Sequence, residues 1–534
     1  MIYIAQNVLV HARKTEDIMA QFMTMEEAVG LVKDGDTIWI NAFGGCASPT
    51  DLNRGLTKRF RETGSPKNLS VYSAFSFGDW TEGSDVEGYI CEGAVDRVVI
   101  GHFASLKNTC RAIMNNEIEG YNLPGGVMSH MIRAAARGSK ALFTKTGMNL
   151  FVDPELGSNY RLNEKSKAEL VEATELGGEK GLLYKIPKVD IAFIKASFAD
   201  ERGNISFQNE TASVDALSVA QATHRNGGKV IVQVVRRVNN NILPRSVNIP
   251  SALVDAVVIC PKQQQITNMD GYFDFICGQY VPKGAIMTAC RDEIRGAIGA
   301  VNKRNSLHTA IARRAMKEIQ PGNIVNIGIG IPELVAEAVL ESGMLEQVHL
   351  SVESGHTGGF PLGAQGFGVV IGPDSMMDMA RQFDFYEGGG LDLCCVGALE
   401  IDGHGNVNGH YTKGKLSGIG GFANITQTTK RVVFCFTFTT GGIQGEFDGE
   451  KVTITQEGRI NKFLPNVTSL SFSCKNALEN KQEVLYVTER CVFRLGENGL
   501  ILSEIAPGID MEKDVLQKLP FEVEIAKDLK LMEF

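Results

Sequence analysis

The chain has 534 residues, of which 43% are hydrophobic and 22% are charged. This is the composition of an ordinary globular protein, and the length allows about three to four domain-sized units. The formal net charge of -9 argues against nucleic acid or an anionic membrane as a general partner, but it leaves room for a local basic pocket that binds a phosphorylated ligand.

The eleven cysteines show no CxxC pair and no zinc-type spacing. Cys394 and Cys395 are adjacent in an apolar run typical of a buried strand, so we expect reduced core cysteines and a cytoplasmic protein. The nine histidines form no HExxH pattern or His/Cys cluster, and GxSxG does not occur. We therefore predict neither a metal site nor a serine hydrolase.

The apolar segment Met1–Val10 has no basic stretch before it and no small-residue cleavage site after it, so no signal peptide is predicted. No run approaches the roughly 18 apolar residues that a membrane-spanning helix needs. We therefore expect a soluble protein without a membrane partner.

Strands and helices alternate from the start of the first half. Thr24 and Glu27 have the spacing of a capping box and predict an amphipathic helix. A strand at Thr37–Asn41, a helix at Pro49–Glu62 and a strand at Leu69–Ser73 follow. This order indicates a parallel sheet covered by helices.

The same order returns in the second half. Its predicted elements are a helix at His308–Glu318, a strand at Ile324–Ile327, a helix at Pro332–Glu341 and a strand at Leu350–Val352. Leu350-Ser-Val repeats Leu69-Ser-Val, and the repeat places Tyr72 in the first half where Glu353 stands in the second.

A second set of matches supports the repeat. Asp190, Asp200, Gly203 and Asn204 match four identical residues, each 202 positions further on. The matches are Asp392, Asp402, Gly405 and Asn406. We therefore predict two homologous halves: a leader at 1–23, a first domain at 24–304 and a second domain at 305–534, with the ligand site in the cleft between them.

A carboxylate follows the strand predicted at Leu350–Val352. The stretch His349–Gly359 reads HLSVESGHTGG, with Glu353 where the strand should end and small residues directly after it. Because glycine has no side chain, a ligand can approach this carboxylate closely. The position suits a nucleophile, and a solvated turn residue is the alternative that these residues leave open.

Two glycine-rich loops precede predicted helices. Gly328-Ile-Gly-Ile-Pro lies where backbone N–H groups can meet an anion, but Glu333 stands at the third glycine position of GxGxxG, so a dinucleotide fold is poorly supported. In Ser417–Asn424, the pair Gly420-Gly421 can leave an N–H free to stabilise an oxyanion. A tight turn without a ligand is the alternative for both loops.

These motifs carry a resemblance to a known family. The stretches concerned are Val352-Glu-Ser-Gly with Gly358-Gly359, Gln382–Leu393, Gly418–Gln427, Thr488–Phe493 and Leu502–Asp510. In them the chain resembles the family I coenzyme A transferases, and more closely the single-chain acetate and propionate CoA-transferases. The resemblance runs from about Met23 to the C-terminal region, and the first half matches more loosely.

The resemblance implies a mechanism and a site. Glu353 would be the nucleophile of a ping-pong reaction through a glutamyl-CoA thioester, and Gly421 would donate its N–H to the oxyanion. The residues implied to contact CoA are Gly328, Ile329, Gly330, Ile331, Pro332 and Gly420. It implies no metal and no tightly bound cofactor, with coenzyme A as a substrate, and a homodimer or homotetramer.

Three stretches depart from the family pattern. They are Pro124-Gly125-Gly126, where relatives often have a glutamine that serves the site, Asn41-Ala-Phe-Gly-Gly, where Gly-Gly-Phe is usual, and Cys435-Phe436-Thr437, where Cys-Gly-Thr is usual. We hypothesise that Gly125 and Phe436 remodel the acyl pocket for a group other than acetyl or propionyl.

The sequence thus predicts an α/β protein of two homologous CoA-transferase-type domains, each with a mainly parallel sheet covered by helices. The expected activity is transfer of CoA between a short-chain acyl-CoA and a free carboxylic acid, as in acetate, propionate and ketone-body metabolism. Two alternatives are an acyl-CoA thioester hydrolase and a non-catalytic metabolite-binding protein of the same fold.

Overall fold

Two large sheets, one in each half of the chain, organise the fold. The structure is a computed structural model and describes residues 20–239, 243–297, 305–412 and 414–534. Within these ranges one sheet has nine strands and the other has ten.

The first half contains twelve strands and six helices within the described residues. The strands are β1 Gln21–Met23, β2 Thr37–Ile40, β3 Leu69–Ser73, β4 Val95–Ile100, β5 Glu119–Asn122, β6 Ala141–Thr144, β7 Val171–Leu176, β8 Glu179–Lys185, β9 Ile191–Asp200, β10 Ile205–Ser206, β11 Lys229–Val238 and β12 Ala256–Ile259. The helices are α1 Met25–Gly30, α2 Thr50–Thr63, α3 Lys107–Met114, α4 Gly125–Ala136, α5 Ala216–Arg225 and α6 Ala285–Ala297.

The second half contains shorter strands and five helices in its described part. The strands are β13 Ile324–Ile327, β14 His349–Val352, β15 His356–Thr357, β16 Phe360–Pro361, β17 Val370–Ile371, β18 Ser375–Met376, β19 Leu393–Val396, β20 Glu400–Ile401, β21 Val407–Asn408, β22 Tyr411–Thr412, β23 Lys415–Leu416, β24 Arg431–Cys435, β25 Thr439–Thr440, β26 Gln444–Phe447, β27 Val452–Gln456, β28 Ile460–Asn461, β29 Glu483–Val487, β30 Cys491–Gly496, β31 Gly499–Ile505 and β32 Glu524–Leu531. The helices are α7 Ser306–Met316, α8 Glu333–Glu341, α9 Met379–Glu387, α10 Phe422–Thr426 and α11 Cys474–Glu479.

The two sheets share a parallel core of five strands in the same order. In the first sheet the order is β12-β11-β9-β2-β3, and in the second it is β29-β24-β19-β13-β14. The first sheet continues with parallel β4 and β5, whereas the second continues with antiparallel strands at both ends, β15 and β18 on one side and β30 and β31 on the other. The predicted fold class is confirmed, with a mixed rather than uniformly parallel second sheet.

Local signals place several elements where the sequence predicts them. Thr24 caps α1 in a reciprocal capping box with Glu27, and Pro49 stands directly before α2. Part of the predicted leader joins the first sheet, because β1 pairs with β12. Residues 1–19 of the leader and residues 298–304 before the predicted domain boundary lie outside the described residues, so the domain limits stay predictions.

The repeated Asp-x-x-Gly-Asn turns have the same hydrogen bonds in both halves. The Asp200 carboxylate accepts from the N–H of Arg202 and Asn204 and from the Asn204 side chain at 2.8 to 2.9 Å. Asp402 accepts from the N–H of His404 and Asn406 and from the Asn406 side chain at 3.0 to 3.1 Å. Both carboxylates are buried, so these turns are structural rather than solvated.

The halves are joined by an apolar interface. One cluster of buried hydrophobic side chains contains residues of both halves, among them Phe43 and Phe75 of the first and Phe383 of the second. Helix α4 packs against α9 and α10 across the same interface.

Among the helices of the described residues, none has the length and apolar character needed to cross a bilayer.

Replacing Asp402 with Ala removes three hydrogen bonds from a buried turn. We expect this variant to lose about 1–3 kcal/mol of free energy of unfolding, because shielded N–H groups would be left without partners. The urea midpoint measures the loss. Asp448→Ala is the matched control, since Asp448 accepts from the N–H of Glu450 and Lys451 in an exposed turn where water can replace it. Equal shifts in both variants would contradict the structural role of the Asp402 turn.

Candidate active site

Glu353 lies in the turn between β14 and β15, at the carboxyl end of a parallel strand, where ligand sites of α/β sheets occur. The turn is tight, because Gly355 has a φ of +112° and its position faces the Met377 carbonyl too closely for any side chain. Glu353 is 5% exposed. It is therefore buried, which excludes the alternative of a solvated turn residue.

The environment of Glu353 favours the protonated carboxyl more than water does, and brings its titration close to neutral pH. Burial raises the pKa of the Glu353 carboxyl to about 7, from an ordinary value of 4.5. The side chain of Asn326 opposes this in part, because its Nδ2 donates to Glu353 Oε2 at 3.4 Å. Asn326 lies on β13, the strand next to β14, so the sheet itself brings the amide to the carboxylate.

Gly421 lies directly against the Glu353 side chain. A β-carbon added to Gly421 would stand 3.0 Å from both Cγ and Oε1 of Glu353 and 3.1 Å from Cζ of Phe383. The residue immediately precedes α10, and its N–H donates to no described residue. The structure thus brings the two predicted catalytic residues together, although 68 positions separate them in the chain.

Gly420 connects this loop to the first half. Its N–H donates to the Gly101 carbonyl at 2.7 Å, and its own carbonyl accepts from the Gly125 N–H at 2.7 Å. The preceding residue, Ile419, donates its N–H to Asn122 Oδ1 at 2.9 Å. Gly420 therefore fixes the position of Gly421 through its backbone, and its predicted contact with CoA stays a prediction.

The loop Gly328–Pro332 follows β13 at the same edge of the sheet as Glu353. Gly328 is tied down by its N–H, which donates to the Cys395 carbonyl at 2.8 Å. Gly330 has a φ of +91° with no atom within 4 Å of its missing side chain, and Ile329 is exposed. The predicted CoA loop therefore presents an open backbone, with Ile331 partly buried and Pro332 preceding α8.

A buried polar network behind Glu353 was not predicted from the sequence. Ser351 Oγ receives hydrogen bonds from Gln382 Nε2 at 2.9 Å and from the Tyr386 hydroxyl at 2.6 Å, and donates to the His356 carbonyl at 3.2 Å. This network clamps both strands of the Glu353 hairpin to α9. Gln382 and Tyr386 belong to a stretch that matches the family, which was the only sequence signal for them.

His356 holds the other side of the same hairpin. Its Nε2 lies 2.7 Å from the Thr211 carbonyl of the first half, and its Nδ1 lies 2.9 Å from Ser354 Oγ. Burial lowers the pKa of His356 to about 4. His356 therefore attaches the turn that contains Glu353 to the first half, as a neutral imidazole at pH 7.

Two of the three stretches that differ from the family pattern contain a residue whose contacts the structure shows. Asn41 donates from Nδ2 to the Ser213 carbonyl at 3.1 Å and accepts from the Asp215 N–H at 3.0 Å. Phe436 is buried beside Phe463, with 5.8 Å between the ring centroids. Asn41 therefore braces the first-half loop, and Phe436 contributes to an aromatic cluster.

One protein-family model matches the chain in two segments, one in each half. The family model described as "Coenzyme A transferase" matches residues 22–259 and 308–513. The chain belongs to the coenzyme A transferase family. The first matched segment contains nearly all of the first large sheet, and the second contains every strand of the second sheet except β32. The internal repeat therefore corresponds to the two regions of the family model.

Two relatives and one solved structure are similar to this protein over nearly the whole length of the chain. The chain is 37% identical to the acetate CoA-transferase YdiF of Escherichia coli (strain K12), over 96% of this chain and 94% of the relative. It is 36% identical to the caffeate CoA-transferase of Acetobacterium woodii, over 96% and 97%. The crystal structure of the acyl-CoA transferase YdiF from E. coli O157:H7, in a thioester complex with CoA, superposes with a TM-score of 0.88 at 35% identity, over 97% and 96%. The chain is a CoA-transferase.

The raised pKa of Glu353 predicts a pH dependence. Below about pH 7 the carboxyl is mostly protonated and cannot attack, so thioester formation should slow about tenfold for each pH unit further down. Single-turnover rates between pH 5 and 8.5 measure this. Asn326→Ala should move the midpoint upward, because it removes a hydrogen bond that stabilises the carboxylate. A wild-type midpoint near the ordinary value of 4.5 would contradict the effect of burial.

Proposed function

We propose that the enzyme transfers coenzyme A between a short-chain acyl-CoA and a free carboxylic acid through a thioester on Glu353. The observation that carries this proposal is the buried carboxylate of Glu353 held against the backbone of Gly421. The Glu353 carboxyl lies against Gly421, whose N–H has no hydrogen-bond partner among the described residues. Acyl transfer requires a nucleophile together with a free donor for the oxyanion, and these two residues can supply both.

The first step is an exchange of bonds at the acyl carbonyl. An oxygen of the Glu353 carboxylate attacks the carbonyl carbon of the acyl-CoA, a C–O bond forms, and the C–S bond breaks. CoA leaves as a thiolate with the electron pair of that bond, and the acyl group remains as a mixed anhydride with Glu353. The energy of the thioester is therefore conserved in the anhydride rather than lost to water.

The second step moves CoA onto the protein. The thiolate attacks the glutamyl carbonyl carbon and a C–S bond forms. The bond between that carbon and the bridging oxygen breaks, so the acyl group leaves with this oxygen as a free carboxylate. An acceptor carboxylate then reverses both steps. Each attack passes through a tetrahedral oxyanion on or next to Glu353. We assign the N–H of Gly421 as its donor, supported by the packing of Gly421 against the Glu353 side chain and by the lack of a hydrogen-bond partner for this N–H among the described residues.

The loop Gly328–Pro332 supplies a surface for the CoA moiety. Its exposed backbone at Ile329 and Gly330 lies at the carboxyl end of β13, next to the strand that ends at Glu353. The N–H of Gly330 itself is held by Glu333 Oε1 at 2.9 Å. We assign CoA contact to this loop and to Gly420, since both flank the route to the carboxylate.

The substrates proposed are short-chain acyl-CoAs with acetate or propionate as acceptors. One relative is an acetate CoA-transferase and another is a caffeate CoA-transferase, so the acyl group differs among chains of equal similarity. We also propose action in the cytoplasm, supported by eleven cysteines that are all free, and a homodimer or homotetramer as the assembly.

Hydrolysis of the thioester is the rival reaction. It requires water at the anhydride or at the glutamyl thioester, and the 5% exposure of Glu353 limits access of water. The similarity to transferases also argues against a non-catalytic binding protein. Turnover that depends on an acceptor acid would support transfer, and turnover without one would favour hydrolysis.

Incubation with acyl-CoA should increase the mass of the protein by that of CoA less one water, because one carboxyl oxygen of Glu353 leaves with the acyl group. Peptide mapping should place this addition on Glu353. Borohydride should then convert that residue to its alcohol, because it reduces a glutamyl thioester. Glu353→Gln is the matched variant: it keeps the size of the side chain, lacks the nucleophilic carboxylate and should show no adduct. An adduct of equal yield on the variant would refute the role of Glu353.

Gly421→Ala tests the packing against the nucleophile. The added methyl group would stand 3.0 Å from Glu353 Cγ and Oε1, so the carboxylate must shift, and we expect about a 100-fold loss in kcat. The φ of -81° accepts alanine, so the fold should persist. Gly30→Ala at the end of α1 has no atom within 4 Å and serves as the control. Unchanged kcat in Gly421→Ala would contradict this placement.

A further inference from the structure

We propose that Phe75 forms the first-half wall of the acyl site and restricts the enzyme to short, unbranched, apolar acyl groups. This inference rests on the proposed function, because it assigns a residue that sets the acyl selectivity of that reaction. Phe75 contributes no hydrogen bond through its side chain, so its effect comes from the space that it fills.

Phe75 reaches from the first half to the neighbours of the nucleophile. It follows β3 by two residues and is 3% exposed. Its ring stacks on Phe383, with 6.3 Å between centroids and 17° between planes. Its Cε1 would lie 3.4 Å from a β-carbon on Gly420. Since Phe383 and Gly420 both adjoin Gly421, the ring stands beside the place where an acyl carbonyl must lie.

Phe75 also fills the space of a missing side chain. A β-carbon added to Gly125 would stand 2.6 Å from Cε2 and 2.7 Å from Cζ of Phe75, well inside contact distance. Gly125 begins α4 and its φ lies outside the left-handed region, so its backbone would accept another residue. The Phe75 ring therefore makes the closest contacts that exclude a side chain at this position, and the Ala74 carbonyl oxygen, 3.1 Å from the same β-carbon, adds a weaker one.

Other aromatic rings hold Phe75 in place. On the side away from Phe383 it stacks on Phe43, with 4.2 Å between centroids, and Phe43 stacks on Phe367 at 5.7 Å. The row of four rings crosses from the second half to the first and back again. Because each ring is fixed by its neighbours, the wall cannot easily move aside for a larger acyl group.

The acyl group must therefore fit between Glu353, Gly421 and a rigid apolar wall. A branched or hydroxylated group would meet the ring or place a hydroxyl against it without a partner, and each costs binding. The room that Gly125 leaves is taken by Phe75, so we expect acetyl and propionyl groups to be preferred. This expectation opposes the hypothesis from the sequence that the changed loop admits a different group.

The test compares acyl groups in competition. Wild type and Phe75→Ala receive a mixture of propionyl-CoA and 2-methylpropanoyl-CoA with one acceptor acid, and the ratio of their kcat/KM values is measured. We expect the variant to shift this ratio toward the branched substrate by about tenfold or more, the effect of one methyl group in an apolar pocket. Phe493→Leu is the control. Phe493 is a buried ring in the antiparallel part of the second sheet, and its replacement should leave the ratio of kcat/KM values unchanged.

A second pair of variants tests the shared space through thermal stability, with the substrate ratio as a second measurement. Gly125→Leu alone should lower the thermal midpoint, because its side chain meets the Phe75 ring. The double variant Phe75→Ala/Gly125→Leu should lower the midpoint by less than the two single variants do together, and its substrate ratio should return toward that of wild type. Midpoints that add without coupling would show that the two residues do not share this space.

The outcomes distinguish a failure of the role assigned to Phe75 from a failure of the proposed CoA-transfer mechanism. If Glu353 forms an adduct in every variant while the substrate ratio stays within about twofold of wild type, the role of Phe75 is wrong and the transferase mechanism stands. If wild type forms no adduct with any acyl-CoA, the proposed mechanism fails and the role of Phe75 fails with it.

Discussion

The seating of the Ile419–Gly421 loop on the first half is the constraint on which the site depends. Backbone hydrogen bonds join Gly420 to Gly101 and Gly125, and Ile419 to the side chain of Asn122. The bonds are short and shielded, so together they hold the loop firmly. Because Gly421 is the next residue and lies against Glu353, the surroundings of the Glu353 carboxyl in the second half depend on contacts made with the first half.

Each of the two homologous halves extends a side chain from the same strand end into the other half. In the repeat, Tyr72 takes the place of Glu353, and Phe75 takes the place of His356. Phe75 crosses to stack on Phe383 in the second half, and His356 crosses to the Thr211 carbonyl in the first. The equivalent positions have thus kept a bridging role while their chemistry has diverged. Tyr72 is buried against Trp39, so the first half keeps no carboxylate at this strand end.

Local sequence signals predicted much of the fold. The capping box at Thr24, the repeated Asp turns and the small residues after strands are short-range features, and each fixes structure within a few residues. Glu353 was found in the same way, since a strand end followed by glycines is visible in the sequence. The alignment of two repeats also predicted that both halves contain a mainly parallel sheet covered by helices, whereas the order of strands within each sheet came from the structure.

The remainder of the site depends on contacts between distant segments, which no local pattern reports. Asn326 reaches Glu353 because β13 and β14 are neighbours, and Gln382 with Tyr386 reaches Ser351 because α9 packs behind that strand. Gly125 was noticed as a departure from the family. The ring that explains it lies 50 residues earlier, and only the three-dimensional structure shows that Phe75 occupies the space.

The central claim is that acyl and CoA transfer pass through the Glu353 carboxylate, and oxygen tracing tests it most directly. Turnover of an acyl-CoA with an acceptor acid labelled with ¹⁸O in its carboxylate should place one heavy oxygen in the peptide that contains Glu353, since the bridging oxygen of the anhydride stays with the protein when CoA leaves with the acyl group. Turnover that leaves this peptide unlabelled, or that labels it only from ¹⁸O water, would contradict the account.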